Sequence, residues 1–215
     1  TGHIKLAAMD SCFEELLPAT VDEFSQLLPA VTYTIVSTQP MEVPQLVASG
    51  QIDIGVTFAT RLPVGVVAIS LAQLPLGMVM APGHPLAQHD RVSLKDCAQH
   101  PFLRSGTQPV FGASLSAEFT SFWESMTPAA TCNSTPLIKR LLKAGKGIST
   151  FSKIAVLEEL RRGELVWKPF ALPVLNQLQV GIIVPSQRAL PQVAQNFVGR
   201  LARNLSKLEQ IAAAL

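Results

Sequence analysis

Charge is scarce in this chain. Only 15% of its 215 residues are Asp, Glu, Lys or Arg, against about 25% in a typical soluble domain. The 17 basic residues are scattered and the formal net charge is +2, so no basic stripe of the kind that grips nucleic acid is present. Any DNA binding must belong to a segment outside this sequence. Cysteines are few, odd in number and far apart (Cys12, Cys97, Cys132), which supports neither a disulfide framework nor a zinc site and reads as reduced thiols of a cytoplasmic protein. No apolar run approaches the ~18–20 residues that a bilayer span needs, and Thr1 opens directly on a strand pattern rather than a secretory leader. Also lacking are a Gly-x-Ser-x-Gly elbow, a phosphate-cradling loop with Lys-Ser/Thr, and HExxH.

What is plentiful is apolar: 48% of the residues, enough for one large domain or two lobes with a sizeable core. Short apolar segments recur at Ile4–Ala8, Val31–Ser37, Ile52–Phe58, Val66–Leu71 and Leu76–Ala81, then at Phe102–Ser105, Ile148–Phe151, Leu165–Phe170 and Leu178–Pro185. Helical patterns lie between them, which is the grammar of an α/β fold with mixed, mostly parallel sheets. Phe13, Leu16, Leu17, Val21, Phe24 and Leu28 recur at helical spacing. Ser11 with Glu14 reads as a capping box that starts this helix near Cys12. A second helix is expected from about Pro40 to a stop at Gly50. Helices ending at Gly145 and Gly163 and a last one over about 191–213 complete the pattern.

The segment Met80-Ala81-Pro82-Gly83-His84-Pro85-Leu86 breaks a strand, and a second strand near Gln177–Ile183 leads into the last helix. Two such crossings imply a discontinuous lobe (1–80 and 181–215), an inserted lobe (81–180), and a ligand cleft where strand ends face each other. Five stretches then carry a resemblance: IKLAAMDSCFEELLPATVDEFSQLLPAV, LVASGQIDIGV, VMAPGHPLA, LIKRLLKAGKGISTFSK and RRGELVWKPF. In this order they are similar to the effector-binding domain of LysR-type transcriptional regulators. That resemblance implies two Rossmann-like lobes of the type 2 periplasmic-binding-protein fold, joined by two crossover strands. It implies a small-molecule effector, antiparallel dimers or tetramers through the Phe13–Leu28 helix and the Val31–Val36 strand, and a winged helix-turn-helix preceding Thr1 through which promoter DNA is bound. Ser152 stands where the family usually has proline.

The expected effector contacts fall on strand ends. Asp10, Ser11 and Cys12 follow the first strand, where a helix start would offer free N–H groups to a carboxylate. Ser11 would both cap and contact ligand. Asp10 repels an anion, so it points away or accepts from a ligand hydroxyl or amine. Gln39, Pro40 and Met41 form a second wall. In the inserted lobe, Arg104, Ser105 and Thr107 end a strand, and Arg104 is the best partner for a carboxylate. Asn133 and Ser134 cap the Gly145 helix and join the site by resemblance, and Phe151 packs in the core or against an apolar ligand body. His84 reads as structural, His3, His89 and His100 as solvated, and Asp53 as ordering its turn. Cys12 lacks a histidine placed to serve it as a nucleophile, so the chain reads as a sensor of a small organic acid, possessing no catalytic residue, metal or cofactor. A solute-binding protein of a membrane transporter is the alternative, because it would share this fold.

Overall fold

The structure is a computed structural model that describes residues 1–215. The chain divides into two compact units: Thr1–Gln73 with Gln179–Ala214, and Leu74–Leu178.

The first unit is built on a five-stranded sheet. Its strands are β1 (Gly2–Met9), β2 (Val31–Thr38), β3 (Ile54–Phe58), β4 (Val66–Gln73) and β10 (Gln179–Pro185), in the order β2-β1-β3-β10-β4. β1 runs parallel to β2 and β3, whereas β10 is antiparallel to β3 and β4. β3 is buried along its length, as a central strand covered on both faces must be. Helices α1 (Leu16–Leu27) and α8 (Gln192–Ala214) pack on each other through Phe24 and Phe197, edge to face with centroids 5.2 Å apart. A buried polar link joins these helices inside the apolar seam. Asn204 Nδ2 donates to Thr20 Oγ1 at 2.9 Å, and Thr20 Oγ1 donates to the Leu16 carbonyl at 2.7 Å. Helix α2 (Val43–Ala48) inserts Val43 and Val47 among Ala7, Ile52 and Ile183.

Both expected helix starts in this unit are displaced. Residues Asp10–Phe13 form a 3₁₀ turn, and α1 begins at Leu16 with no side-chain cap. The reason is Pro18. Proline lacks the N–H that a helix interior needs and is tolerated only in the first turn, so a helix begun at Cys12 would break there. Pro44 does the same for α2, which starts at Val43 rather than Pro40.

In the second unit β5 (Leu76–Met80) is the centre of an antiparallel ladder, flanked by β8 (Ser149–Ser152) and β9 (Val166–Pro169). Leu76–Met80, expected in the first lobe, therefore belongs here. The run of hydrophobic residues gives no strand direction, and β5 pairs where its two partners leave a slot. β6 (Leu103–Ser105) and β7 (Ala130–Cys132) pair in parallel, and a Phe102–Ile148 bridge ties β6 to β8. Helices α3 (Leu94–Cys97), α4 (Ala117–Ser125), α5 (Thr135–Lys143), α6 (Leu157–Arg161) and α7 (Pro173–Asn176) surround these strands. α5 and α6 end at Gly145 and Gly163, whose φ values of 70° and 69° are the left-handed stop that glycine adopts without strain. The core side of β8 holds Phe151 with Leu103, Ile138, Leu142 and Leu165.

Candidate functional site

The expected residues lie in two groups, one in each unit. In the first unit, Ser11 is half-buried in the 3₁₀ turn after β1 and caps no helix. The free helix amides expected at this turn are absent, because α1 begins five residues after Ser11. Asp10 Oδ1 accepts from Ser37 Oγ at 3.2 Å, tying the turn to the end of β2. Cys12 is fully buried beneath the turn. Burial, with the Asp10 charge adding to it and a hydrogen bond from Ser11 opposing it, pushes its thiol up to about 12. A thiol so protonated at neutral pH is no nucleophile. Gln39, Pro40 and Met41 form the turn between β2 and α2. The Pro40 carbonyl accepts from Thr57 Oγ1 at 2.8 Å, and Met41 is exposed.

In the second unit Arg104 emerges from β6 opposite Thr131 of β7. It takes part in none of the ion pairs, unlike Lys139, which meets Glu159 at 2.9 Å, or Arg162, which meets Glu158 at 2.8 Å. Instead its guanidinium carbon lies 5.8 Å from the centroid of the Trp123 ring, and its buried Nε has no hydrogen-bond partner. Trp123 sits on α4, whose start is fixed by Ser116 accepting from the Phe119 N–H. At this distance the guanidinium is within cation–π reach of the indole, and it keeps N–H donors for a further partner.

Ser105 follows on β6, half-buried, and Thr107 is exposed past Gly106, whose N–H donates to the Cys132 carbonyl at 2.9 Å. Ser134 caps α5 as expected, accepting from the Leu137 N–H, while its own N–H donates to Cys132 Sγ. Asn133 beside it is exposed. Phe151 is a core residue whose carbonyl accepts from Trp167 Nε1 at 2.8 Å.

Sequence reasoning missed three residues here. Leu103 N–H donates to Ile148, and Ser149 Oγ donates back to the Leu103 carbonyl at 2.6 Å. Extending this parallel register by one residue beyond Ser149 sets Thr150 beside Arg104, on the strand face opposite Phe151. Thr150 and Ser152, each 2% exposed, carry hydroxyls with no partner, as does the indole Nε1 of Trp123. Buried polar groups are nearly always paired, so each of these unpartnered groups, like Arg104 Nε, is a candidate for a ligand contact. The signal for Trp123 was legible: Phe119, Phe122 and Trp123 recur at helical spacing after Ser116. Nothing in the sequence marks the hydroxyls of Thr150 and Ser152 as unpaired.

Among the histidines, His84 Nδ1 accepts from the Leu86 N–H at 3.1 Å, which makes it structural. His100 is not simply solvated; its ring packs edge-on against His84 with centroids 4.5 Å apart. His3 is exposed but bonds Thr32 and Thr34 across the edge of the sheet. Asp53 pairs with Arg188 at 2.5 Å.

Comparison with known proteins follows the same lines. The model of the LysR substrate binding domain matches residues 1–206. The transcriptional activator protein LysR of Escherichia coli is 24% identical over 173 residues, covering 80% of this chain and 55% of that protein. The chain thus spans about half the length of the curated relatives it matches. The regulatory domain of NMB2055 (MetR), a LysR family regulator from N. meningitidis, superposes with a TM-score of 0.72 at 19% identity, over 94% of this chain and 93% of that one. The regulatory domain of Synechocystis CcmR in complex with 2-PG superposes with a TM-score of 0.73 at 17% identity, over 94% and 97%. With mixed sheets in the arrangement of these regulatory domains, and a family match over nearly its whole length, the chain belongs to the LysR substrate-binding domain family.

Proposed function

We propose that this domain senses a small organic acid and passes its binding state to a DNA-binding segment of a cytoplasmic, oligomeric transcriptional regulator. No bond in the acid would be broken. Arg104 takes the carboxylate, with Thr150 and Ser152 supplying hydroxyl partners. Ser105, Thr107, Asn133 and Ser134 form the rim on this side, and Phe151 backs it from the core. Ser11, Gln39, Pro40 and Met41 are the first unit's candidate contacts, beside the buried Cys12. Asp10, held by Ser37, accepts from a ligand hydroxyl where one is present.

The single observation that carries this reading is the Arg104 guanidinium, set within cation–π reach of Trp123 and left without any carboxylate of its own chain. An arginine fixed in place with donors to spare suits bidentate capture of a carboxylate. The CcmR domain, which has the same fold, is seen in complex with 2-PG, and that supports an acidic effector here. Ligand binding regulates only as far as it favours one arrangement of the units over another.

A thermal-shift screen of carboxylic acids tests the proposal. At least one acid should stabilise the protein in a concentration-dependent way, and Arg104→Gln should abolish that stabilisation without lowering the unliganded melting temperature. Full stabilisation of the Arg104→Gln protein by the same acid would remove Arg104 from the site.

A further inference from the structure

We propose that the outer edge of β4 binds a second copy of this chain, strand against antiparallel strand, about a two-fold axis at Ile69. Four of the ten exposed large hydrophobic side chains crowd here. Val64 lies in the turn before β4, and Val67, Ile69 and Leu71 follow at alternate positions, 41%, 50% and 50% exposed. Side chains two apart share one face of a strand, so these three form one apolar row. β4 is also the last strand of its sheet, paired with β10 on one side and with no strand on the other.

Edge strands are normally blunted by charge, by proline or by a cover. No Asp, Glu, Lys, Arg or His lies between Arg61 and His84, and Val66–Gln73 contains no proline. The edge therefore offers no charge to a partner of opposite sign, and nothing in it repels an identical neighbour. It suits its own copy better than an acidic or basic partner.

The register is self-complementary. Opposed residues of an antiparallel pair lie on the same face, so an axis at Ile69 sets Ile69 against Ile69 and Val67 against Leu71 of the copy. The paired span is then Val66–Ala72. It stops one residue short of Gln73, whose N–H already donates to the Glu209 carboxylate of α8. The pairing of β4 on β10 slips at Ile69, where Ser70 faces Ile182 and Ala68 faces Ile183. Such a bulge bends its strand, and an axis through that residue bends both copies alike. A two-fold contact is closed, so it uses up the exposed edge instead of propagating it. One short strand and three half-exposed side chains fall below the ~800 Å² per partner of a standard interface. The contact therefore forms at high concentration or between copies already joined elsewhere. β2 is the opposite edge of the same sheet, so a contact there would not compete with this one.

Cysteine cross-linking in a Cys132→Ser background, which removes the partly exposed thiol, tests the register. Directly opposed Cα atoms of antiparallel strands lie about 4.5–5.5 Å apart, within the span of a disulfide. Ile69→Cys should therefore cross-link to its own copy under mild oxidation. Val67→Cys should not, because its two copies would stand about 13 Å apart along the strands, but it should cross-link when mixed with Leu71→Cys. Ile69→Lys opposes two ammonium groups at the axis. In sedimentation equilibrium it should weaken self-association by about tenfold or more, at an unchanged melting temperature. A monomer at all concentrations (the result if a different protein covers this edge), equal cross-linking of the Ile69→Cys and Val67→Cys proteins, unchanged association of Ile69→Lys, or a mass that grows without limit would each overturn the inference. None of these readings needs an effector, so failure here is distinguishable from failure at Arg104.

Discussion

Gly77 in β5 should not tolerate even alanine. A Cβ there would stand 2.1 Å from Cε2 and 2.6 Å from Nε1 of the Trp167 ring, where carbon atoms in contact sit about 3.5–4.0 Å apart. Trp167 is not free to yield. Its Nε1 donates to the Phe151 carbonyl at 2.8 Å, and the Lys153 ammonium lies 4.7 Å over its ring. Displacing the indole orphans a carbonyl in the core, at about 1–3 kcal/mol. It also loses a cation–π contact worth about 0.5–1 kcal/mol and forces strained packing at about 1–3 kcal/mol. Gly77→Ala should therefore cost about 3–5 kcal/mol, lowering the melting temperature by roughly 10 °C or more. Denaturant unfolding followed by circular dichroism would measure it. The decisive comparison is a double-mutant cycle with Trp167→Phe, whose smaller ring vacates the contested space. In that background Gly77→Ala should cost less than about 1 kcal/mol, leaving a coupling of about 2 kcal/mol or more. Costs that add to within about 0.5 kcal/mol would refute the reasoning.

Two further outcomes follow from buried titrating groups. Burial, and secondarily the charge of His100, hold the His84 imidazolium below its ordinary pKa. The folded state then binds this proton less readily than the unfolded state. Stability from His84 is complete above about pH 6.5 and declines as pH falls from there through the depressed folded value. His84→Asn should shrink the stability difference between neutral and mildly acidic solution, and an identical difference in the variant would contradict the assignment. Burial also pushes the Cys97 thiol up to about 12, like that of Cys12, whereas Cys132 is partly exposed. Iodoacetamide should modify Cys132 alone in the native protein and all three cysteines after denaturation. Native labelling of Cys12 would show that the turn after β1 opens.

Much of the fold was legible because burial writes itself into apolar spacing. The strands Ile54–Phe58 and Leu76–Met80 and the stripe of α8 through Phe197, Leu201 and Leu205 follow from it directly. Helix starts were misread where a favourable cap pattern outweighed a proline. Ser11 and Glu14 have the spacing of a capping box, but Pro18 requires α1 to begin within a turn of itself, at Leu16. The inward face of α5 is not legible from its apolar residues alone. Leu137 is exposed and Ile138 is buried, although both are apolar. There, Lys139 goes inward to meet Glu159, a pairing across 20 positions that no local pattern announces. The candidate site was legible as strand ends, and Arg104 was identifiable because a lone arginine closing an apolar strand is unusual. That Trp123 comes within cation–π reach of it, and that Thr150 and Ser152 stand unpaired, depends on tertiary packing that no local pattern announces.

The central claim is that Arg104 is held ready for a carboxylate. An NMR spectrum of the arginine Nε–H groups, recorded with and without the acid that most stabilises the protein, tests it most directly. The Arg104 signal, weak in exchange protection without ligand, should move downfield and become protected when the acid is added, and stay in place with the isosteric amide. An Arg104 signal that is unaltered by a saturating, stabilising acid would contradict the account.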